Sequence, residues 1–347
     1  MTKAVSKPVS NPLSQEAREA LRKAFGSRVQ FDVPLAPWSA ARLGGPADAL
    51  LEVPSVKDLG STAMWLWEHD MPFRVLGGGS NVLIADEGVD GVVLLNRARE
   101  ARFFEVKGQP AVWAASGASF GALARRAVAK GLDGLTWAIG IPGTVGGAVV
   151  GNAGAFGGDV ATSLLWADVL FPNGRVVRLD ARGLGLGYRT SALKTGWLSG
   201  VVLAAAFRLH PADPEKLKAR VAEINEQRRR SQPPGASLGS IFKNPPGEYA
   251  GRLIEMAGLK GTRAGGVMIS PQHANFFINL GNGTAMDYAH LMCLVRRTVW
   301  QRLGVLLEPE IQLIGRWPED VLSCLFDPLP VEPPALLLGG VAPPPEE

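Results

Sequence analysis

Ser240 sits in the stretch Gly239-Ser240-Ile241-Phe242-Lys243-Asn244-Pro245-Pro246-Gly247, where a hydroxyl has three possible uses. It can attack as a nucleophile, donate a proton, or cap a turn. Nucleophilic attack needs a base to take the hydroxyl proton, most often a histidine. The chain has four, His69, His210, His273 and His290, and none lies in a motif resembling a Ser-His pair. An isolated serine in Gly-Ser-Ile-Phe is more often a turn or cap residue. Its immediate neighbours therefore leave the proton-donor and structural readings open.

Two glycine-rich loops carry a second kind of chemistry. The first is Gly77-Gly78-Gly79-Ser80-Asn81, directly after the expected strand Phe73–Leu76. Successive glycines let a backbone approach a ligand closely and aim several N–H groups at one point, which suits an anion such as a pyrophosphate. Ser80 and Asn81 add side-chain donors. The second loop runs from Gly140 through Pro142, Gly143, Thr144, Gly146 and Gly147 to Asn152, Gly154 and Ala155. Neither matches the strand–GxGxxG–helix fingerprint with its acidic partner, and neither closes with GK[ST]. One such loop could be an ordinary tight turn. Two of them, with Arg42-Leu43-Gly44-Gly45-Pro46 upstream, favour a dinucleotide held by backbone amides outside a Rossmann fold.

These groups need a scaffold. The 347 residues are 46% hydrophobic, enough for a large core and for two or three domains. The net charge of +4 and the single dense basic cluster, Arg228-Arg229-Arg230, favour a small anionic ligand over nucleic acid. Cys293 and Cys324 form no CxxC and no readable disulfide framework, so a reducing, cytoplasmic setting is expected, with no metal site. The N-terminal segment has no apolar signal region, and no apolar run reaches membrane length.

The pattern along the chain is mixed. Helices are expected from Ser14 to Gly26, from Ser55, over Ser119–Lys130, from Asp213-Pro214 onward, and over 284–303. Strands are expected at Phe73–Leu76, 92–96, 101–106, 111–115, 164–171, 175–179 and 201–209, with a hairpin turn at Pro172-Asn173-Gly174. Short strands at 267–270 and 276–279 and a last strand at 308–315 complete the set. The expected division is an N-terminal leader and helix (1–27), a first domain (28–211), a second α+β domain (212–306), a strand returning to the first domain (307–318), and a Pro-rich tail without regular structure (319–347).

Seven segments, in order, resemble the UDP-N-acetylenolpyruvoylglucosamine reductase (MurB) family: VLGGGSNVLIAD, GIPGTVGGAVVGNAGAFGGDV, GYRTSALK, GSIFKNPPG, AGLKG, HANFFIN and LEPEIQLIG. The resemblance covers about residues 36–315. AGLKG, and the lack of a tyrosine-bearing insertion after GYRTS, are similar to the type II branch. The resemblance implies an α+β fold with a vanillyl-alcohol-oxidase-type FAD-binding domain in two lobes and a smaller substrate domain. It implies non-covalent FAD, NADPH as co-substrate, and reduction of the enolpyruvyl group of UDP-N-acetylglucosamine-enolpyruvate to UDP-N-acetylmuramate for peptidoglycan synthesis. A monomer without nucleic-acid or membrane partners is expected.

The same resemblance assigns residues. Arg189 corresponds to the arginine that binds the substrate carboxylate, Ser240 to the proton donor, and Glu310 to the glutamate that stabilises or protonates the intermediate. Tyr188, Lys243, Asn244 and Arg230 are expected near the substrate, with Asn244 on its diphosphate. The flavin falls to Arg42 and to the two glycine loops. Four departures stand out: Gln312 where arginine is common, Ser231 where a basic residue is common, Phe156 in place of tyrosine, and Trp38-Ser39-Ala40-Ala41 in a usually hydroxyl-rich stretch. The competing readings are another oxidase of the same flavin fold and a nucleotide-binding module without chemistry. The first would lack GSIFKNP, AGLKG and LEPEIQLIG together, and the second would not need Arg189, Ser240 and Glu310 together.

Overall fold

The computed structural model describes residues 12–329. Three packed units enclose one large cleft. In the first, helix Gln15–Phe25 starts where the Ser14 hydroxyl accepts the Ala17 N–H and stops at Gly26. Its Leu21 packs with Leu59, Ala63 and Leu66 of helix Val56–Glu68 against one face of a four-stranded sheet. That sheet runs Val29–Pro34, Pro46–Val53, Val89–Asn96, Phe73–Leu76, with the last two pairings parallel. Helix Gln15–Phe25 is thus part of this lobe rather than a separate leader; residues 1–11 lie outside the described residues.

The second lobe is an antiparallel five-stranded sheet in the order Val176–Leu179, Leu164–Leu170, Val201–Arg208, Gln109–Ala115, Ala101–Val106. Phe120 and Leu123 of helix Phe120–Val128 and Val149 of helix Val145–Gly151 fill its inner face. Helix Pro214–Ser231, expected in the following domain, contributes Ile224 and Val221 to this same core. Its apolar stripe therefore belongs to the second lobe, and the change of unit falls near the end of the helix rather than at 212.

The third unit packs Ala250–Met256 and Ala285–Leu303 on a small sheet of Arg263–Ala264, Val267–Ile269 and Phe277–Asn279. The chain then returns to the first lobe: Gln312–Ile314 pairs in parallel with Val82–Ile84. Arg316 secures the return through Asp90, Asp48 and the Glu87 carbonyl.

Two expectations fail near the C-terminus. Residues 319–326 form a helix, Glu319–Phe326, docked on Ala285–Leu303. Buried Arg296 donates to the carbonyls of Leu307, Cys324 and Asp327, which a Pro-rich composition does not announce. Cys293 and Cys324 are joined as a disulfide between these helices, with Cα atoms 5.8 Å apart. The remainder of the tail, 330–347, lies outside the described residues. Among the described residues no helix is long and apolar enough to cross a membrane, and no cluster of His, Cys, Asp and Glu could hold a metal ion.

Candidate active site

The cleft is a cavity of about 1250 Å³ bounded by all three units. Clefts for a single small ligand run to roughly 300–1,000 Å³, so this one has room for a dinucleotide and a second substrate. Both glycine loops form its floor. They touch backbone to backbone: a Cβ on Gly78 would lie 2.9 Å from Gly143 Cα. Gly79 has φ +58°, and a Cβ there would lie 2.0 Å from the Trp38 carbonyl oxygen. Only glycine fits that position. A Cβ on Gly151 would instead meet nothing within 4 Å, although Gly151 borders the cavity. Gly151 is thus an uncrowded position on the cavity border. The cavity size, the two glycine loops and this open position fit FAD.

The sequence missed the helix Val145–Gly151 inside the second loop. Three glycines in seven residues argue against a helix, but the Thr144 hydroxyl accepts the Gly147 N–H and Asn152 closes the other end in a left-handed conformation.

Three segments distant in sequence carry the chemistry-bearing side chains to the cavity. The first is the tight hairpin Gly187–Thr190, held by reciprocal backbone bonds of 3.1 and 3.2 Å. It places Arg189 at φ +55°, a conformation that non-glycine residues adopt only when their surroundings hold them there. The Asn152 side chain helps by donating to the Gly187 carbonyl at 2.8 Å. The second segment carries Ser240. Next to it, Ile241 N–H donates to the Asn275 carbonyl, and Phe242 exchanges both its backbone groups with the Asn275 side chain at 2.9 and 2.8 Å. The third is the returning strand. Glu310 N–H donates to the Ile241 carbonyl at 2.7 Å, which ties Glu310 to the Ser240 segment.

Arg189 Nε lies 3.3 Å from Glu310 Oε1. Burial pushes the Glu310 carboxyl above its ordinary value, and the nearby charges of Arg189, Lys194 and Lys243 oppose that rise. A buried carboxyl held toward its protonated form can donate a hydrogen bond, while the guanidinium presents a planar fork to an anion. Lys194, overlooked in the sequence although it stands in GYRTSALK, lines the cavity beside them. Burial, with Lys243 adding to it, lowers its ammonium pKa.

The structure sorts the other expected residues. Ser80, Asn81, Pro142, Gly143, Thr144, Gly146, Gly147, Gly154 and Ala155 border the cavity with the triple glycine. Arg42 does not: it is exposed, and its segment contributes backbone instead, with Ala40 N–H donating to the Gly79 carbonyl at 3.0 Å. Asn152 is buried in its capping role rather than facing the cavity. Tyr188, Lys243 and Asn244 also lie off the cavity lining. The Tyr188 hydroxyl accepts the Asn244 N–H at 3.4 Å, the Asn244 side chain accepts the Ala250 N–H, and Lys243 pairs with Glu308.

Arg230 is exposed and paired with Glu226, as is Arg229. Arg228 takes the cavity position instead, because two residues along a helix turn the side chain by about 200°. It donates to the Ile139 carbonyl at 3.0 Å, and its guanidinium lies 5.0 Å from the Phe156 ring centre. Phe156 therefore gives Arg228 an aromatic face, a contact that does not need the absent hydroxyl. Gln312 borders the cavity, and the Ser39 hydroxyl is buried beside Gly79 without a hydrogen-bond partner.

Known proteins resemble this chain over most of its length. A model described as "UDP-N-acetylenolpyruvoylglucosamine reductase, C-terminal domain" matches residues 230–314, and an "FAD binding domain" model matches 47–180. The UDP-N-acetylenolpyruvoylglucosamine reductase of Rubrobacter xylanophilus is 50% identical over 288 residues, covering 82% of this chain and 95% of that protein. This chain belongs to the UDP-N-acetylenolpyruvoylglucosamine reductase family. The Chloroflexus aggregans reductase is 43% identical over 284 residues, covering 81% of this chain and 96% of its own length. The crystal structure of the Thermus caldophilus reductase (MurB) superposes with a TM-score of 0.70 at 37% identity, covering 84% of this chain and 99% of that one. The reductase fold is α+β, with its FAD-binding domain in two lobes and a smaller domain after it.

Proposed function

We propose that Arg189, Ser240 and Glu310 carry the reaction of this reductase. The protein is an NADPH-dependent oxidoreductase that reduces the enolpyruvyl group of UDP-N-acetylglucosamine-enolpyruvate to UDP-N-acetylmuramate, a step of peptidoglycan synthesis. FAD, when bound, relays hydride from NADPH to the substrate. The two glycine loops would hold it, with Arg228 and Gln312 also lining the cavity.

Hydride arriving at the terminal carbon of the enol ether drives negative charge into the carboxylate. Preorganised cations and donors lower the energy of such a charge in a water-poor site. Arg189 binds the two carboxylate oxygens. Glu310, held toward its protonated form by burial, donates to the same developing charge. Ser240 then delivers a proton to the other carbon. A hydroxyl is a weak acid, and it suffices here because the carbanion it meets is strongly basic and neighbouring dipoles stabilise the alkoxide. Tyr188, Asn244 and Lys243 stand just outside and take the diphosphate end.

The observation that carries this reading is the convergence of the three segments, linked by the Glu310–Ile241 backbone bond and the 3.3 Å contact of Arg189 Nε with Glu310 Oε1. The flavin unit comprises the first two lobes and the returning strand, and the substrate unit comprises the residues from the end of helix Pro214–Ser231 to about 306. The enzyme acts as a monomer in the cytoplasm.

Anaerobic stopped-flow spectroscopy of Ser240→Ala tests the assignment. The variant is expected to retain FAD and to bleach with NADPH at the wild-type rate, but to recover its yellow colour with substrate at least about 100-fold more slowly. Recovery at the wild-type rate would remove Ser240 as the acid.

A further inference from the structure

Arg189 and Glu310 come from segments more than a hundred residues apart, and one side chain bonds to the backbone of both. Lys194 Nζ donates to the main-chain carbonyl of Arg189 at 3.0 Å and to the main-chain carbonyl of Glu310 at 3.1 Å. Lys194 is itself well anchored. Its N–H donates to the Ser191 hydroxyl at 3.0 Å, and that hydroxyl donates to the Val150 carbonyl, in the glycine-rich helix, at 2.6 Å.

These two bonds bear on a specific difficulty. Arg189 is held at a left-handed φ, and its carbonyl must be satisfied where the hairpin turns. The Glu310 carbonyl lies at the start of the returning strand, with Asn81 as its other donor at 3.4 Å. The Lys194 ammonium adds a main-chain tie between the two segments to the single side-chain contact between Arg189 and Glu310. Misplacement of about 1 Å in such a pair is worth roughly 100-fold in rate.

We propose that Lys194 is a positioning residue for the reduction: its ammonium clamps the Arg189 and Glu310 carbonyls and so fixes the guanidinium against the carboxyl that acts on the substrate. The inference rests on the roles given above to Arg189 and Glu310. The charged groups around the Glu310 carboxyl are Arg189, Lys194 and Lys243, with Glu308 beside the two lysines. Removing the Lys194 charge withdraws one of three opposing cations, so the Glu310 carboxyl should hold its proton to higher pH.

The test uses holoenzyme carrying Lys194→Met, Lys194→Arg, Arg189→Lys or Glu310→Gln. Flavin reduction by NADPH and re-oxidation by substrate are followed separately across pH 6 to 9. Lys194→Met should retain flavin and be reduced by NADPH within about threefold of wild type. Its re-oxidation should fall roughly 10- to 100-fold, with the alkaline limb moved to higher pH. Lys194→Arg, which keeps a cation and its donors, should recover most of that loss. Wild-type re-oxidation with an unmoved pH profile in Lys194→Met would overturn the clamp. So would a parallel fall in flavin content, reduction and re-oxidation, which a merely structural lysine would give. If Arg189→Lys and Glu310→Gln also re-oxidise normally, it is the underlying site reading that fails.

Discussion

Replacing Asn275 with alanine removes a side chain that is 2% exposed and that bonds both backbone groups of Phe242. Its Oδ1 accepts the Phe242 N–H at 2.9 Å, and its Nδ2 donates to the Phe242 carbonyl at 2.8 Å. Phe242 is buried, so both of its backbone groups would be stranded. Each orphaned group costs about 1–3 kcal/mol, giving about 2–5 kcal/mol once partial relaxation is allowed. A chain of this size loses roughly 1.5 °C per kcal/mol, so the melting temperature should drop by about 3–7 °C. Ser240 is two residues away, and the Ile241 carbonyl that anchors Glu310 lies between them. Re-oxidation by substrate should therefore slow by roughly 100-fold while reduction by NADPH is spared. Thermal melts followed by circular dichroism and anaerobic stopped-flow read the two effects. A melting temperature within about 1 °C of wild type, together with normal re-oxidation, would refute the argument that Asn275 holds the Ser240 segment in place.

Further outcomes follow from burial, charge and backbone geometry. Between the ordinary value of 4.5 and its raised native value, Glu310 keeps in the folded state a proton that the unfolded chain has released. Its contribution to stability is therefore lost as pH rises through that window. The melting-temperature advantage of Glu310→Gln over wild type should grow with pH across it, and a constant offset would contradict the raised pKa. Gly79→Ala and Gly26→Ala share φ +58°, but only the first drives a Cβ into a backbone oxygen. Gly26→Ala should cost about 1 kcal/mol with normal flavin absorbance, whereas Gly79→Ala should lose flavin on purification. Arg296→Met strands the three carbonyls that hold helix Glu319–Phe326, and limited proteolysis should then cut between Trp317 and Asp327 first.

Much of the frame was legible because its signals are local. Ser14, Ser55 and Asp213 each cap the helix expected from them, and Pro172-Asn173-Gly174 turns the expected hairpin. The glycine loops could be read as a ligand floor because close approach needs glycine wherever it occurs. What stayed hidden depends on contacts made at a distance. Helix Val145–Gly151 forms against its propensity because its ends are capped and its apolar residues are buried. Arg228 rather than Arg230 faces the cavity because of the helix's phase, which a run of three arginines conceals. Lys194 shows its role only once the Arg189 and Glu310 backbones are side by side.

The parallel pairing of Gln312–Ile314 with Val82–Ile84 also sets a timetable for biosynthesis. The partners are about 230 residues apart, so at 5–20 residues per second the early strand emerges roughly 10–50 s before the strand that completes it. Throughout that interval strand Val82–Ile84 lacks its parallel partner, and the cleft lacks Glu310 and Gln312. The cleft is therefore completed late, when the returning strand closes onto a segment made near the start of the chain.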